Sequence, residues 1–204
     1  QVSVNLALAL AAEGEQVMLA DLDIVNPYFR SRERRPLLEK AGVRVISSSQ
    51  ACSDADVPAL PAELLTILEN REIRGILDIG GDPVGARVLA RFQPKIVQED
   101  YQLIFVLNAN RPEVRDAESA AAYLRSIEAV TGLTCSGLVN NTHLCGETTP
   151  AEIRKGVALA QEVSRQTGIP ILCHTAERRF LESLSDLGEP VFPIAINMKK
   201  PWER

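Results

Sequence analysis

The stretch GILDIGGDP, Gly75–Pro83, decides how the chain is read. A short apolar run ends in an aspartate and two glycines, and a second aspartate and a proline follow. Such a run, bounded by glycine and proline, reads as a strand buried on both faces. A carboxylate at the buried end of that strand needs a partner. Asp82 before Pro83 has the form of a helix N-cap with proline at the first helical position. The stretch therefore predicts a strand, a turn that carries a carboxylate, and a helix start.

The same unit recurs along the chain. Strands are predicted at Gln16–Ala20, Val43–Ser47, Gly75–Ile79, Leu103–Asn108, Cys135–Asn140 and Pro170–His174. Helical patterns lie at Pro36–Ala41, Pro61–Asn70, Gly85–Lys95, Glu113–Thr131, Ala151–Thr167 and Glu177–Leu184, most with Gly or Pro at their ends. Strands alternating with helices predict an α/β fold, a mostly parallel sheet joined by right-handed crossovers and covered on both faces. With 204 residues, 46% of them apolar and 24% charged, one compact domain over 1–204 is expected. The segment SSSQACSDADVPALP from Ser47 is the expected loop.

Ligands of such sheets bind outside the carboxyl ends of the strands. The polar residues collect there: Asp21 and Asp23, Asp78 with Gly80, Gly81 and Asp82, Asn108 with Asn110 and Arg111, Asn140 to His143, and His174 with Thr175. Asp78 followed by glycines suits a magnesium-linked carboxylate beside backbone N–H groups that can approach phosphate oxygens. Asp21 and Asp23 would face the same way if the strand persisted, as two carboxylates sharing a cation or water require; Asp-x-Asp also makes turns and caps. An asparagine at a strand end can read an adenine edge, because its amide both donates and accepts, and one of Asn140 and Asn141 is expected to be structural. Arg30, Arg32, Arg34 and Arg35 could clamp an anionic substrate or a partner's carboxylates, or form a solvated helix start with Glu33 and Glu39. His143 is read as a loop residue.

Several classes are disfavoured. The net charge of -5 and the scattered cations argue against nucleic acid. Cys52, Cys135, Cys145 and Cys173 are too far apart for a C-x-x-C metal or redox pair, and idle thiols fit a reducing, cytoplasmic setting. The longest apolar run, Val4 to Ala12, is too short to span a bilayer and lacks the basic flank of a signal peptide. That run belongs to QVSVNLALALAAEGEQV, the pattern of a helix buried on most sides and ended by Gly14. A domain seldom opens inside such a helix, so a segment upstream of Gln1 is expected.

Four segments, QVSVNLALALAAEGEQV, MLADLDIVNPYFRSRE, LDIGGDPVGARVL and GLVNNTHLCGETTP, resemble in order and spacing the P-loop ATPases of the MinD/ParA/NifH-like (SIMIBI) class, in particular a bacterial branch of CobQ/CobB/MinD/ParA nucleotide-binding-domain proteins. The resemblance implies a three-layer α/β/α P-loop NTPase-like fold that uses ATP and Mg²⁺. It implies a phosphate loop and its strand ahead of Gln1, so that the chain as it stands would hold nucleotide weakly. By the same resemblance Asp21 and Asp23 lie near Mg²⁺ and the attacking water, with Asp23 positioning the water. Asp78 holds Mg²⁺ through a water, with Gly80 and Gly81 near the γ-phosphate. Asn141 reads adenine, and the segment His174–Ala176, with Thr175, lies along the base. Pro36 interrupts a helix that would otherwise run on from the arginines. The paired cysteines of the metal-inserting relatives are missing, and the tail NMKKPWER is not an amphipathic membrane helix, so no membrane anchor is expected.

The leading expectation is an Mg²⁺-dependent ATPase or nucleotide switch. A ligase or kinase that phosphorylates a small-molecule carboxylate is the alternative, with the Arg cluster, Asn110 and Arg111 on the acid; a non-catalytic nucleotide-dependent interaction module is a third. The family alone suggests a homodimer, and the protein partner or small-molecule acceptor is unspecified.

Overall fold

A computed structural model of the chain describes residues 1–23, 31–47 and 63–197. Arg30, Cys52, the Ser47 loop beyond its first residue, the first two positions of the helix expected from Pro61, and the tail after Asn197 lie outside the described residues. The chain divides into two compact units, one running to Val88 and the other from Leu89 to Ile196. Both carry parallel sheets flanked by helices, so the α/β expectation holds.

The first unit begins with α1 (Val2–Ala12) and β1 (Val17–Asp21). A 3₁₀ turn (Ser31–Arg34) leads into α2 (Arg35–Lys40), then β2 (Arg44–Ser47), α3 (Glu63–Glu69), β3 (Arg74–Asp78) and α4 (Pro83–Ala86). The sheet order is β2-β1-β3, all parallel. β1 is central and buried along its whole length, which is why VMLAD shows no alternation. Val17 and Leu19 of β1 and Val43 and Val45 beside and within β2 pack with Val4 and Ala7 of α1 and Leu38 of α2. Burying a leucine such as Leu19 or Leu38 contributes about 1.5–3 kcal/mol. α1 buries Val4, Asn5 and Ala7 only; Leu6, Leu8 and Leu10 are half-buried, less than the sequence predicts. Gly14 adopts φ +88° just after the helix, as the predicted terminator requires. Pro36 sits in the first turn of α2, so the chain breaks at Arg34 and restarts there.

The second unit holds α5 (Gln93–Ile96), β4 (Leu103–Leu107), α6 (Ala117–Thr131), β5 (Cys135–Asn140), α7 (Pro150–Thr167), β6 (Ile171–Glu177) and β7 (Val191–Ile194). Its sheet order is β4-β5-β6-β7, again parallel. α6 and α7 are capped at both ends. Asp116 accepts from the Ser119 N–H at 2.8 Å and Thr149 from the Glu152 N–H at 3.4 Å; Gly132 and Gly168 close the helices in the left-handed region.

Three expectations are corrected. The helix predicted over Gly85–Lys95 is α4, a 3₁₀ segment (Arg87–Arg91) and α5, because Pro94 cannot continue a helix and instead starts α5. The helix predicted over Glu177–Leu184 is two 3₁₀ turns, Arg178–Phe180 and Glu182–Leu184. The strand before it continues to Glu177, and a seventh strand follows. That strand is four residues long and contains Pro193, which argues against a strand in sequence; its place at the sheet edge tolerates the missing N–H.

Candidate functional site

In the first unit the sheet register sets Asp21, the last residue of β1, directly beside Asp78, the last residue of β3. Two adjacent carboxylates at parallel strand ends repel unless each is partnered. Each has a partner. Asp78 Oδ1 accepts from the Ser3 hydroxyl at 2.7 Å, a residue in the first turn of α1 that the sequence did not single out. Asp21, 0% exposed, forms an ion pair with Arg32. The ladder runs one residue further, with the Leu22 N–H donating to the Asp78 carbonyl at 2.9 Å.

Asp23 lies past the strand, so the i, i+2 relation that would align it with Asp21 is not imposed. Its carboxylate lies against Gly80 instead: Asp23 Oδ1 is 3.0 Å from the position a Cβ on Gly80 would take. Gly80 is also packed on Gly85, where a Cβ would come within 2.9 Å of Gly80 Cα. Both glycines are needed for this close approach. Gly81 is exposed, and Asp82 is the N-cap of α4, accepting from Val84 and Gly85 N–H groups at 2.9 and 2.8 Å, as the sequence predicts. Asp21, Asp23, Asp78 and Gly80 thus gather at one end of this unit's sheet.

In the second unit the residues that follow β5 are tied inward. Asn140 accepts from the Thr142 N–H at 3.0 Å and donates to the Ile153 carbonyl at 3.3 Å. Asn141 Oδ1 accepts from the Thr175 hydroxyl at 2.7 Å, which brings together two residues expected at a nucleotide base. The segment His174–Ala176, expected at and after the end of the strand Pro170–His174, lies within β6 and is buried; His174 pairs with β5 and β7, and Thr175 with β7. His174 Nε2 is 3.3 Å from Glu189 Oε2. Asn110 accepts from Lys155 Nζ at 2.9 Å, and Arg111 is exposed.

His143 is half-buried, and its Nδ1 accepts from the Cys145 N–H at 3.1 Å. Burial holds its pKa below the ordinary histidine value, which favours the neutral ring this acceptor role needs. A depressed histidine pKa means the unfolded chain binds the proton first. Its stabilising contribution is therefore complete above the unfolded pKa and lost as pH falls through the folded one. Thermal melting at about pH 5.5 is expected to give a lower Tm than at about pH 7.5, and His143→Gln should shrink that difference; an equal difference in the variant contradicts the assignment. Burial raises the Cys135 and Cys173 thiols, in keeping with idle cysteines.

Among the described residues, no three His, Cys, Asp or Glu side chains group to hold a metal ion, and no helix is long and apolar enough to cross a membrane. No protein-family model matches the chain, and no curated protein matches it. Among solved structures it is similar to a nucleotide-binding protein from Archaeoglobus fulgidus in complex with ADP, with Co. The identity is 12% and the TM-score 0.35, over 95% of this chain and 75% of that chain.

Proposed function

We propose that the chain is a nucleotide-binding protein that uses ATP with Mg²⁺, as a hydrolase or a nucleotide-gated switch of the MinD/ParA type. The observation that supports this most is the register of Asp21 and Asp78 at the ends of parallel strands, with Gly80 and Gly81 following and the Asp23 carboxylate against Gly80. Carboxylates and unhindered backbone N–H groups at the carboxyl ends of parallel strands suit phosphates and a phosphate-bound cation.

The residues present fit Mg²⁺. An ion held largely by phosphate oxygens and water needs one or two carboxylates rather than a protein cage. Asp78 would hold it through water, while the N–H groups of Gly80 and Gly81 meet phosphate oxygens and Asp23 orients a water. Bound Mg²⁺ would supply neutralisation of the charge that develops on the phosphates.

Calorimetric titration with ADP, with and without Mg²⁺, tests the reading. Weak binding is expected, read at high ADP concentration, and only with Mg²⁺. Asp78→Asn, which keeps an acceptor for Ser3, should weaken it at least about tenfold, or about 1.4 kcal/mol, while changing folding stability by less than about 1 kcal/mol. Equal binding by Asp78→Asn and the unsubstituted chain would show that the site lies elsewhere.

A further inference from the structure

Asp21 and Asp23 look alike in sequence, but the structure gives them different work. A carboxylate offers about four acceptor positions. Asp21 uses four: Oδ1 accepts from Arg32 Nη2 at 3.2 Å and from the Asp23 N–H at 3.2 Å, and Oδ2 accepts from Arg32 Nε at 2.9 Å and the Arg32 N–H at 2.9 Å. With 0% exposure as well, it has no position left for a cation or a cation-bound water. The guanidinium reaches further, Nη2 also donating to the Asp23 carbonyl at 2.9 Å. The Asp23 backbone is therefore held at its N–H by Asp21 and at its C=O by Arg32, in a fixed fork geometry that lysine could not reproduce.

We infer that Arg32 is a positioning residue: through the saturated Asp21 carboxylate and the Asp23 carbonyl it fixes Asp23 with its carboxylate against Gly80, so that Asp23 and Asp78, not Asp21, face the phosphate-bound cation. This rests on the nucleotide reading of the same strand ends. Arg32 is thereby assigned to internal positioning rather than to a substrate or partner. Asp21 and Arg32 act as one device, with Asp23 as its output.

The test uses Mn²⁺ with ADP, followed by electron paramagnetic resonance of the free ion, alongside hydrogen exchange of the Asp23 amide. Asp23→Asn, Arg32→Gln and Asp21→Asn should each weaken Mn²⁺ uptake at least about tenfold. The double variant Asp21→Asn/Arg32→Gln should be no weaker than either single variant, because both remove the same device. Its two neutral amides can still hydrogen-bond, so it remains informative if Arg32→Gln alone does not fold. If Asp21 itself takes the cation and Arg32 merely competes, Arg32→Gln binds Mn²⁺ more tightly and Asp21→Asn more weakly; that result overturns the proposal. So does Arg32→Gln binding like the unsubstituted chain. Failure of the unsubstituted chain to take up Mn²⁺ even at saturating ADP would overturn the nucleotide reading and the cation-facing role together. Hydrogen exchange separates the two. An Asp23 amide protected in the unsubstituted chain and exposed in Arg32→Gln upholds the clamp, and an amide unprotected in both removes it.

Discussion

Gly156→Ala is expected to lower the stability of the second unit by about 3 kcal/mol or more, with loss of cooperative urea unfolding as the extreme outcome. Gly156 lies in α7 where the helix presses on the turn after β5, and an added Cβ would overlap Thr142 Oγ1, Thr142 Cβ and Asn140 Oδ1. None of these can swing aside cheaply. Thr142 Oγ1 accepts from the buried Ala109 N–H at 2.9 Å, and Asn140 is bonded on both sides of its amide. The methyl must therefore displace the helix or leave buried polar groups unsatisfied. Gly146→Ala is the control, since no atom lies within 4 Å of its added Cβ; a change within about 0.5 kcal/mol is expected. Equal midpoints for the two variants would contradict the packing described.

Arg32→Gln should cost about 3–5 kcal/mol in the first unit, because it strips the cation from a carboxylate with 0% exposure. Replacing both partners is expected to be milder. In Asp21→Asn/Arg32→Gln no charge is left buried, and the loss should fall below about 3 kcal/mol. Urea unfolding of the two singles and the double closes a double-mutant cycle, and a coupling energy near zero would mean that the pair contributes nothing to folding.

The strand pattern was legible because these parallel strands are short apolar runs bounded by glycine and proline. The burial expected on both faces of Gly75–Ile79 is not found: β3 is half-buried at Ile76 to Asp78 and exposed at Arg74 and Gly75, while β1 is the strand buried throughout. β5 is found over the predicted Cys135–Asn140, and β1 to β4 within one or two residues of their expected ends. β7 escaped because a four-residue run with a proline carries almost no signal, and its stability comes from pairing with β6. The glycines and the two aspartates of 75–83 also drew attention to one strand end, where Asp78 lies beside Asp21. The partners of Asp78 and Asp21 could not be read there: Ser3 is 75 residues from Asp78, and Arg32 is 11 from Asp21. Which arginine of a cluster turns inward depends on the 3₁₀ turn at Ser31–Arg34, and no local pattern specifies that. The partners of Asn140 and Asn141 were out of reach for the same reason, since α7 and β6 supply them.

The strand ends at Asp78 and Asp23 are expected to receive a phosphate-bound cation. Paramagnetic broadening of backbone amide signals by a trace of Mn²⁺ in excess ADP measures this most directly. Selective loss of the Asp23, Asp78, Gly80 and Gly81 signals in the first unit is expected, reversed by excess Mg²⁺. Broadening confined to other acidic positions, such as Asp116 or Glu162, with these four signals intact, would contradict it.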